Sequence, residues 1–159
     1  MLISQLSDED MITLEITRGN TTIILASMYF DRQKPIEQEL TKVDTILQHA
    51  KREGAIIAMD SNARSTSWQD TTNRGKRLED YIIRKQLHIM NEPSTKITFE
   101  NRVGKSNIDL TLVTNNLIRR ITDWKISDEE SNSDHSISYD IKTDINHKTT
   151  QERRYRNKR

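Results

Sequence analysis

Apolar and polar positions change their period several times along the chain, and each change marks an element. From Met11 to Ile16 they alternate, with Ile12, Leu14 and Ile16 on one side, the pattern of a half-buried strand. Gly19-Asn20 is a turn signal. Thr22 to Tyr29 (TIILASMY) is β-branched and nearly continuous in apolar character, as a buried strand requires. The two runs predict a β-hairpin. Pro35 suits the first turn of a helix. Ile36, Leu40, Val43, Ile46, Leu47 and Ala50 then recur at helical spacing and predict an amphipathic helix over 36–52, ended by Gly54. Ala55 to Met59 (AIIAM) reads as a short buried strand that runs straight into Asp60-Ser61-Asn62-Ala63.

The second half continues in the same way. Residues 61–75 read as a polar loop, and 77–86 (RLEDYIIRKQ) as a helix with Leu78, Tyr81 and Ile82 inward. Leu87 to Met90 is a short extended piece before the break at Asn91-Glu92-Pro93. Ile97 to Phe99 is a strand, and residues 104–107 turn the chain into a strand from Ile108 to Val113 (IDLTLV). Ile121 to Ile126 is a weaker strand, residues 127–135 a polar loop, and Ser136 to Ile141 a closing alternating strand. Strands outnumber helices and the helices lie between strands. That order predicts a layered α/β domain with helices on the sheet faces.

Composition narrows this only in part. The chain has 159 residues, a one-domain length that can bury a real core. It is 33% hydrophobic and 31% charged, so the core is lean. A formal net charge of +1 argues against a self-repelling disordered chain. There is no cysteine, which excludes disulfides and thiolate metal sites. No stretch approaches the ~20 apolar residues of a membrane span, and the first residues lack the pattern of a secretory signal. The folded domain is expected over residues 1–145, followed by a basic segment over 146–159. In that segment Lys148, Arg153, Arg154, Arg156, Lys158 and Arg159 face Glu152 alone. It reads either as a solvated end or as a phosphate-backbone contact or linker.

Three polar clusters sit at strand ends, where a sheet holds short loops rigidly. They are Asp60 with Asn62, Asn107 with Asp109, and Asp134 with His135. Oxygen ligands of this kind favour a hard cation such as Mg²⁺ over zinc. Such a cation stabilises the oxygens of an in-line phosphoryl displacement. An imidazole can take a proton from water near neutral pH, and a carboxylate on its other nitrogen would fix the tautomer. Taken singly, each cluster is also what a turn, a helix cap or a surface ion pair looks like. The combination and its order carry the specificity.

The ordered blocks AIIAMDSNA, SNIDLTLVT and SDEESNSDH resemble the conserved blocks of the endonuclease/exonuclease/phosphatase superfamily. The stretches SNARSTSWQD, NRGKRLEDYI, MNEPSTKITF and Trp124 to His135 are similar to the endonuclease domains of R1-like non-LTR retrotransposons. The similarity runs from about Met11 to Ile141. It implies a two-sheet, helix-flanked α/β sandwich of the DNase I and apurinic-endonuclease type, with one sheet incomplete. It implies a DNA-nicking phosphodiesterase using Mg²⁺, with Mn²⁺ as an alternative. Asp60 would contact the attacking water or the metal-bound phosphate, and Asn62 would hold a phosphate oxygen. Asp109 would orient His135, itself the general base or the transition-state phosphate contact. Asp134 would contribute to the metal site. Tyr29 and Asn107 would bind the substrate phosphate region, and Ser133 would shape the loop before Asp134. DNA is the implied partner, a reverse transcriptase the implied neighbour in one polyprotein, and the nucleus the implied location.

The chain also departs from that family. The family's domain begins earlier, and its front half supplies an asparagine and a metal-binding glutamate, while the blocks here start downstream of both. Met59 and Ser61 replace the usual glycine and phenylalanine around Asp60, so Met59 either crowds the site or packs inward. Arg64, Trp68 and Arg74 stand in loops that could meet DNA or cap structure. The alternatives to a nicking enzyme are a non-catalytic nucleic-acid-binding remnant of the fold, a phosphatase of small esters, and a purely structural domain.

Overall fold

In the computed structural model of the chain, residues 1–65, 67, 72–91, 97–127, 133–136 and 139–143 are described. Trp68 and the basic segment from 146 onward lie outside them. After a 3-10 turn at Ser4–Leu6, β1 (Met11–Arg18) and β2 (Thr21–Tyr29) form the expected antiparallel hairpin. Gly19 makes the turn at φ +59°, a left-handed value that glycine adopts without strain. α1 (Ile36–Ala50) crosses over to β3 (Ala55–Asp60), which lies parallel to β2. Pro35 stands just ahead of the helix, and Lys51 ends it at φ 32°, slightly before the predicted boundary. Then follow α2 (Asn73–Arg84), β4 (Leu87–Ile89), β5 (Phe99–Glu100), β6 (Lys105–Ser106) and β7 (Asp109–Thr114). α3 (Asn115–Ile118), β8 (Ile121–Ile126) and β9 (Tyr139–Thr143) complete the described elements.

Five strands form the main sheet in the order β1-β2-β3-β7-β4, while β5-β6 and β8-β9 make separate two-stranded sheets. Side chains alternate across the main sheet, so each strand feeds two layers. Ile24, Ala26 and Met28 of β2, Ile57 and Met59 of β3, and Leu110 and Leu112 of β7 share one core with Val43 and Ile46 of α1 and Leu78 and Ile82 of α2. Ile23, Ile56 and Val113 alternate onto the opposite face and form a smaller core with Leu117 of α3, against which Ile121 of β8 packs. Met59 is 2% exposed and packs into the core under the helices.

Three local differences from the sequence-based expectation have physical causes. In β1 the set Ile12, Leu14 and Ile16 does share one side, but Ile12 is 55% and Ile16 45% exposed. The buried side is that of Met11 and Thr13, whose hydroxyl donates to the Leu6 carbonyl oxygen at 2.5 Å. Helix α2 begins at Asn73 rather than at 77, because the Thr72 hydroxyl accepts the Gly75 amide as an N-cap. Only glycine fits at 75, since a Cβ there would stand 1.6 Å from the Arg64 carbonyl oxygen. Residues 104–107 do not merely turn the chain: Lys105 and Ser106 pair with Glu100 and Phe99 as a hairpin. Asn101 closes it, its Oδ1 accepting the amides of Val103 and Gly104.

Candidate active site

Strand register places the site. Tyr29 pairs with Asp60 across β2 and β3, and Asp60 pairs with Asp109 across β3 and β7. Residues directly opposite in a sheet project to the same side. These three therefore form one row, on the face away from α1 and α2. Backbone bonds tie the row together: the Phe30 amide donates to the Asp60 carbonyl at 2.9 Å, and the Ser61 amide to the Ile108 carbonyl at 2.8 Å. The Ser61 hydroxyl reinforces the second link at 2.7 Å.

His135 comes to this row from a different sheet region. It bridges Phe99 of β5, and the next residue's amide donates to the Thr98 carbonyl at 2.7 Å. The closing strand consequently starts at Tyr139 rather than at 136, because His135 and Ser136 are committed to the β5 edge. The Ser133 hydroxyl accepts the His135 amide at 3.1 Å. The Phe99 ring meets the imidazole edge-on, with centroids 4.9 Å apart at 61°. Imidazole Nδ1 lies 3.1 Å from both carboxylate oxygens of Asp109. Nε2 lies 3.8 Å from Asp60 Oδ2. Asp60, Asp109 and His135 thus offer ligand atoms that all lie within 4.8 Å of one another. With Ser27 and Ala58 they line a hollow of about 300 Å³.

Burial shapes the charges. Both aspartates have a pKa above the ordinary carboxylate value, chiefly because burial disfavours the ionised form. The Asp109 charge pushes Asp60 further the same way, while the Asp60 side is eased by the Asn62 amide, which donates to Oδ1. His135 works against the rise at Asp109 without cancelling it. Two crowded carboxylates of raised pKa favour a bound cation. The oxygen donors suit a hard divalent ion, and Asp60 and Asp109 are the residues here that would hold one.

The other predicted residues separate. Asn62 sits at φ 46°, a left-handed value that asparagine tolerates. Its Nδ2 donates to the Phe30 carbonyl at 2.9 Å and its Oδ1 accepts from Arg32 Nε at 2.5 Å. Asn107 is 2% exposed and its Oδ1 accepts the Thr98 amide at 3.0 Å. The Thr98 hydroxyl in turn accepts the Asp109 amide at 3.2 Å, so Asn107 stands behind the row. Tyr29 is 45% exposed at the end of the row. Asp134 is exposed and outside the three-residue cluster, and its carbonyl accepts the Glu100 amide. Arg74 is a clamp: its guanidinium donates to the carbonyls of Lys34, Asp31 and Ser61. It thereby joins the loop after β2 to the loop after β3.

Sequence reasoning missed Thr98, Phe99 and Arg32. The first two belonged to an expected strand with nothing to mark them as supports of His135. Arg32 reaches a residue 30 positions away, which no local pattern reveals.

A mixed sheet with α1 and α2 on one face and carboxylates and an imidazole gathered on the other is the architecture of a nuclease-type α/β domain. The chain matches the endonuclease–reverse transcriptase family over residues 23–139 and belongs to it. Among solved structures, the endonuclease domain of TRAS1, a telomere-specific non-LTR retrotransposon, is similar with a TM-score of 0.80 at 28% identity. That similarity covers 90% of this chain and 66% of that one. AP endonuclease LMAP from Leishmania major shares the fold, with a TM-score of 0.58 at 12% identity over 80% of this chain and 52% of its own. The 115 kDa protein of type-1 retrotransposable element R1DM from Drosophila melanogaster is 28% identical over 148 residues, covering 86% of this chain and 14% of the relative. The Pol polyprotein of element R1 from Bradysia coprophila is 26% identical over 147 residues, covering 86% and 15%. The chain therefore spans about a seventh of the length of these curated relatives.

Proposed function

We propose that this chain is the DNA-nicking part of a retrotransposon polyprotein, hydrolysing a phosphodiester with the help of a divalent cation, Mg²⁺ or Mn²⁺. The observation that carries the reading is the gathering of Asp60, Asp109 and His135, remote in sequence, within 4.8 Å beside an open hollow. Asp109 occupies Nδ1 of His135, which leaves Nε2 toward Asp60 and the hollow. In that tautomer Nε2 accepts the proton of an attacking water. The water oxygen bonds to phosphorus, the bond from phosphorus to the leaving sugar oxygen breaks with its electron pair staying on that oxygen, a solvent water protonates it, and the strand is nicked. When bound, the cation supplies charge neutralisation at the phosphate oxygens. Asp60 and Asp109 would hold it; Asp134, which the family resemblance assigns to the metal, stands exposed outside their cluster. Asn62 offers Nδ2 to a phosphate oxygen, and Tyr29, at the end of the row, touches the same phosphate. Asn107 acts from behind, through Thr98.

The family description and the names of the relatives support a reverse transcriptase in the same polyprotein; action in the nucleus is part of the proposal and rests on the family resemblance of the sequence alone. The test is nicking of supercoiled plasmid with Mg²⁺. It is run on the chain, on His135→Ala, and on the complete reading frame that encodes the chain. Relaxation by the unaltered protein, lost by about 10²–10⁴-fold on removing the imidazole, is expected. Salt-dependent DNA binding without cleavage in every form would replace this reading with that of a non-catalytic remnant.

A further inference from the structure

A second hollow, of about 410 Å³, is lined in part by Asn62, two residues after Asp60 of the first. Arg32, Arg64, Phe99, Asn101 and Lys105 also line it. Three cationic side chains and an aromatic ring around one hollow suit a phosphodiester strand, since cations meet the backbone and a ring accepts a base. Asn62 links the two hollows: its backbone amide donates to Oδ1 of Asp60 in the first, and its own Oδ1 accepts from Arg32 Nε at 2.5 Å in the second. That contact decides which way the Asn62 amide faces. A guanidinium can only donate, so it must meet the amide oxygen. The Phe30 carbonyl can only accept, so it must meet Nδ2. Both ends of the amide are thereby assigned, and the second hydrogen on Nδ2 is unused among the described residues. Arg32 itself is exposed and rides on the loop that Arg74 clamps through the carbonyls of Asp31 and Lys34. Its guanidinium has four further N–H groups besides the one on Asn62.

We propose that Arg32 is a positioning residue: it locks the Asn62 amide with Nδ2 toward the scissile phosphate and, from the same guanidinium, contacts the neighbouring phosphate of the strand in the larger hollow. The inference rests on the nuclease reading and adds a residue and a subsite to it. A planar fork can serve both partners at once, whereas an ammonium is a point charge on a mobile stem.

The experiment compares the unaltered protein with Arg32→Ala, Arg32→Lys and Arg32→Gln. Nicking kcat and KM are measured with Mg²⁺, and the salt dependence of DNA binding in EDTA. Melting of each variant is followed in parallel to separate misfolding from the effects sought. Arg32→Ala is expected to lower kcat by about tenfold, the effect of one charge-assisted hydrogen bond at an exposed site. It should also reduce the slope of log K against log salt by about 0.7–0.9, the share of one phosphate. Arg32→Lys should keep the slope and lose kcat, and Arg32→Gln should lose the slope and keep more of kcat. Arg32→Ala matching the unaltered protein in both kcat and slope, or Arg32→Lys restoring both, overturns the inference while leaving the nuclease reading intact. An unaltered protein that neither binds nor nicks DNA overturns the nuclease reading and this inference with it.

Discussion

Replacing Asp109 by asparagine separates what that carboxylate does for the reaction from what it costs the fold. The substitution keeps the size of the side chain and removes its charge. In the native site both oxygens stand 3.1 Å from His135 Nδ1, a forked contact longer than the roughly 2.7–2.9 Å of the strongest charge-assisted bonds. Such a bond is worth about 1.5–3 kcal/mol, and 1.36 kcal/mol is about a factor of ten in rate. Asp109→Asn should therefore slow plasmid nicking by at least roughly 10–150-fold under single-turnover conditions at saturating Mg²⁺, with little change in DNA affinity measured in EDTA. Stability should move the other way. The Asp109 pKa is raised in the fold, chiefly by burial, so its ionised form costs stability at neutral pH. In EDTA at pH 7, Asp109→Asn should melt higher than the unaltered chain. As the pH falls through the raised pKa toward the ordinary carboxylate value of 3.8, that advantage should vanish. A variant that nicks within twofold of the unaltered protein, or that melts lower at pH 7, would contradict the assignment of this residue.

Two further outcomes follow from the same structure. Asp60, also raised by burial and by the neighbouring Asp109 charge, should respond to cation: at Mg²⁺ about 100-fold above its dissociation constant the unaltered chain should gain about 2.7 kcal/mol, or roughly 5–11 °C in Tm, and Asp60→Asn far less. Equal shifts in calorimetry would remove Asp60 from the cation site. Gly75→Ala would press a methyl into the Arg64 carbonyl oxygen and push the start of α2 away from Thr72. A loss of about 3 kcal/mol, near the top of the usual overpacking cost, should lower the calorimetric Tm by roughly 6–12 °C, and a loss under 1 °C would show that the helix start yields easily.

Much of the architecture was legible because the apolar runs are short and well punctuated. The hairpin, α1 and the strands ending at Asp60 and beginning at Asp109 follow from periodicity and from Gly19, Pro35 and Gly54. What periodicity cannot supply is the sign of a face. In β1 the alternation of Ile12, Leu14 and Ile16 is plain, yet Met11 and Thr13 are the buried set, because α1 and the turn at Ser4–Leu6 cover the other side. The start of α2 was hidden because Asn-Arg-Gly-Lys-Arg holds no apolar position, and only Thr72, three residues before Gly75, signals it. For the site, Asp60, Asn62, Asp109 and His135 could be picked out by residue type, and the family resemblance gave them roles. While Asn62 lines the larger hollow, the convergence of Asp60, Asp109 and His135 depends on the antiparallel pairing of β3 with β7 and on the bridge from His135 to Phe99. Both are long-range contacts with no local signature. The supports at Thr98, Phe99 and Arg32 were therefore the part least visible beforehand, whereas Arg74 stood out in the sequence with a capping role as one of its alternatives.

The alignment of Tyr29, Asp60 and Asp109 makes this site sensitive to parity. Adding or deleting one residue within β2, β3 or β7 would swing one member of the trio into the oily side under the helices, while its neighbours stayed outside. A change of two would restore the outward direction but slide that member about 6.6 Å along its strand, beyond reach of the other two. Length variation in descendants of this gene should accordingly collect in the connections, such as Asn101–Gly104, and be absent from these three strands.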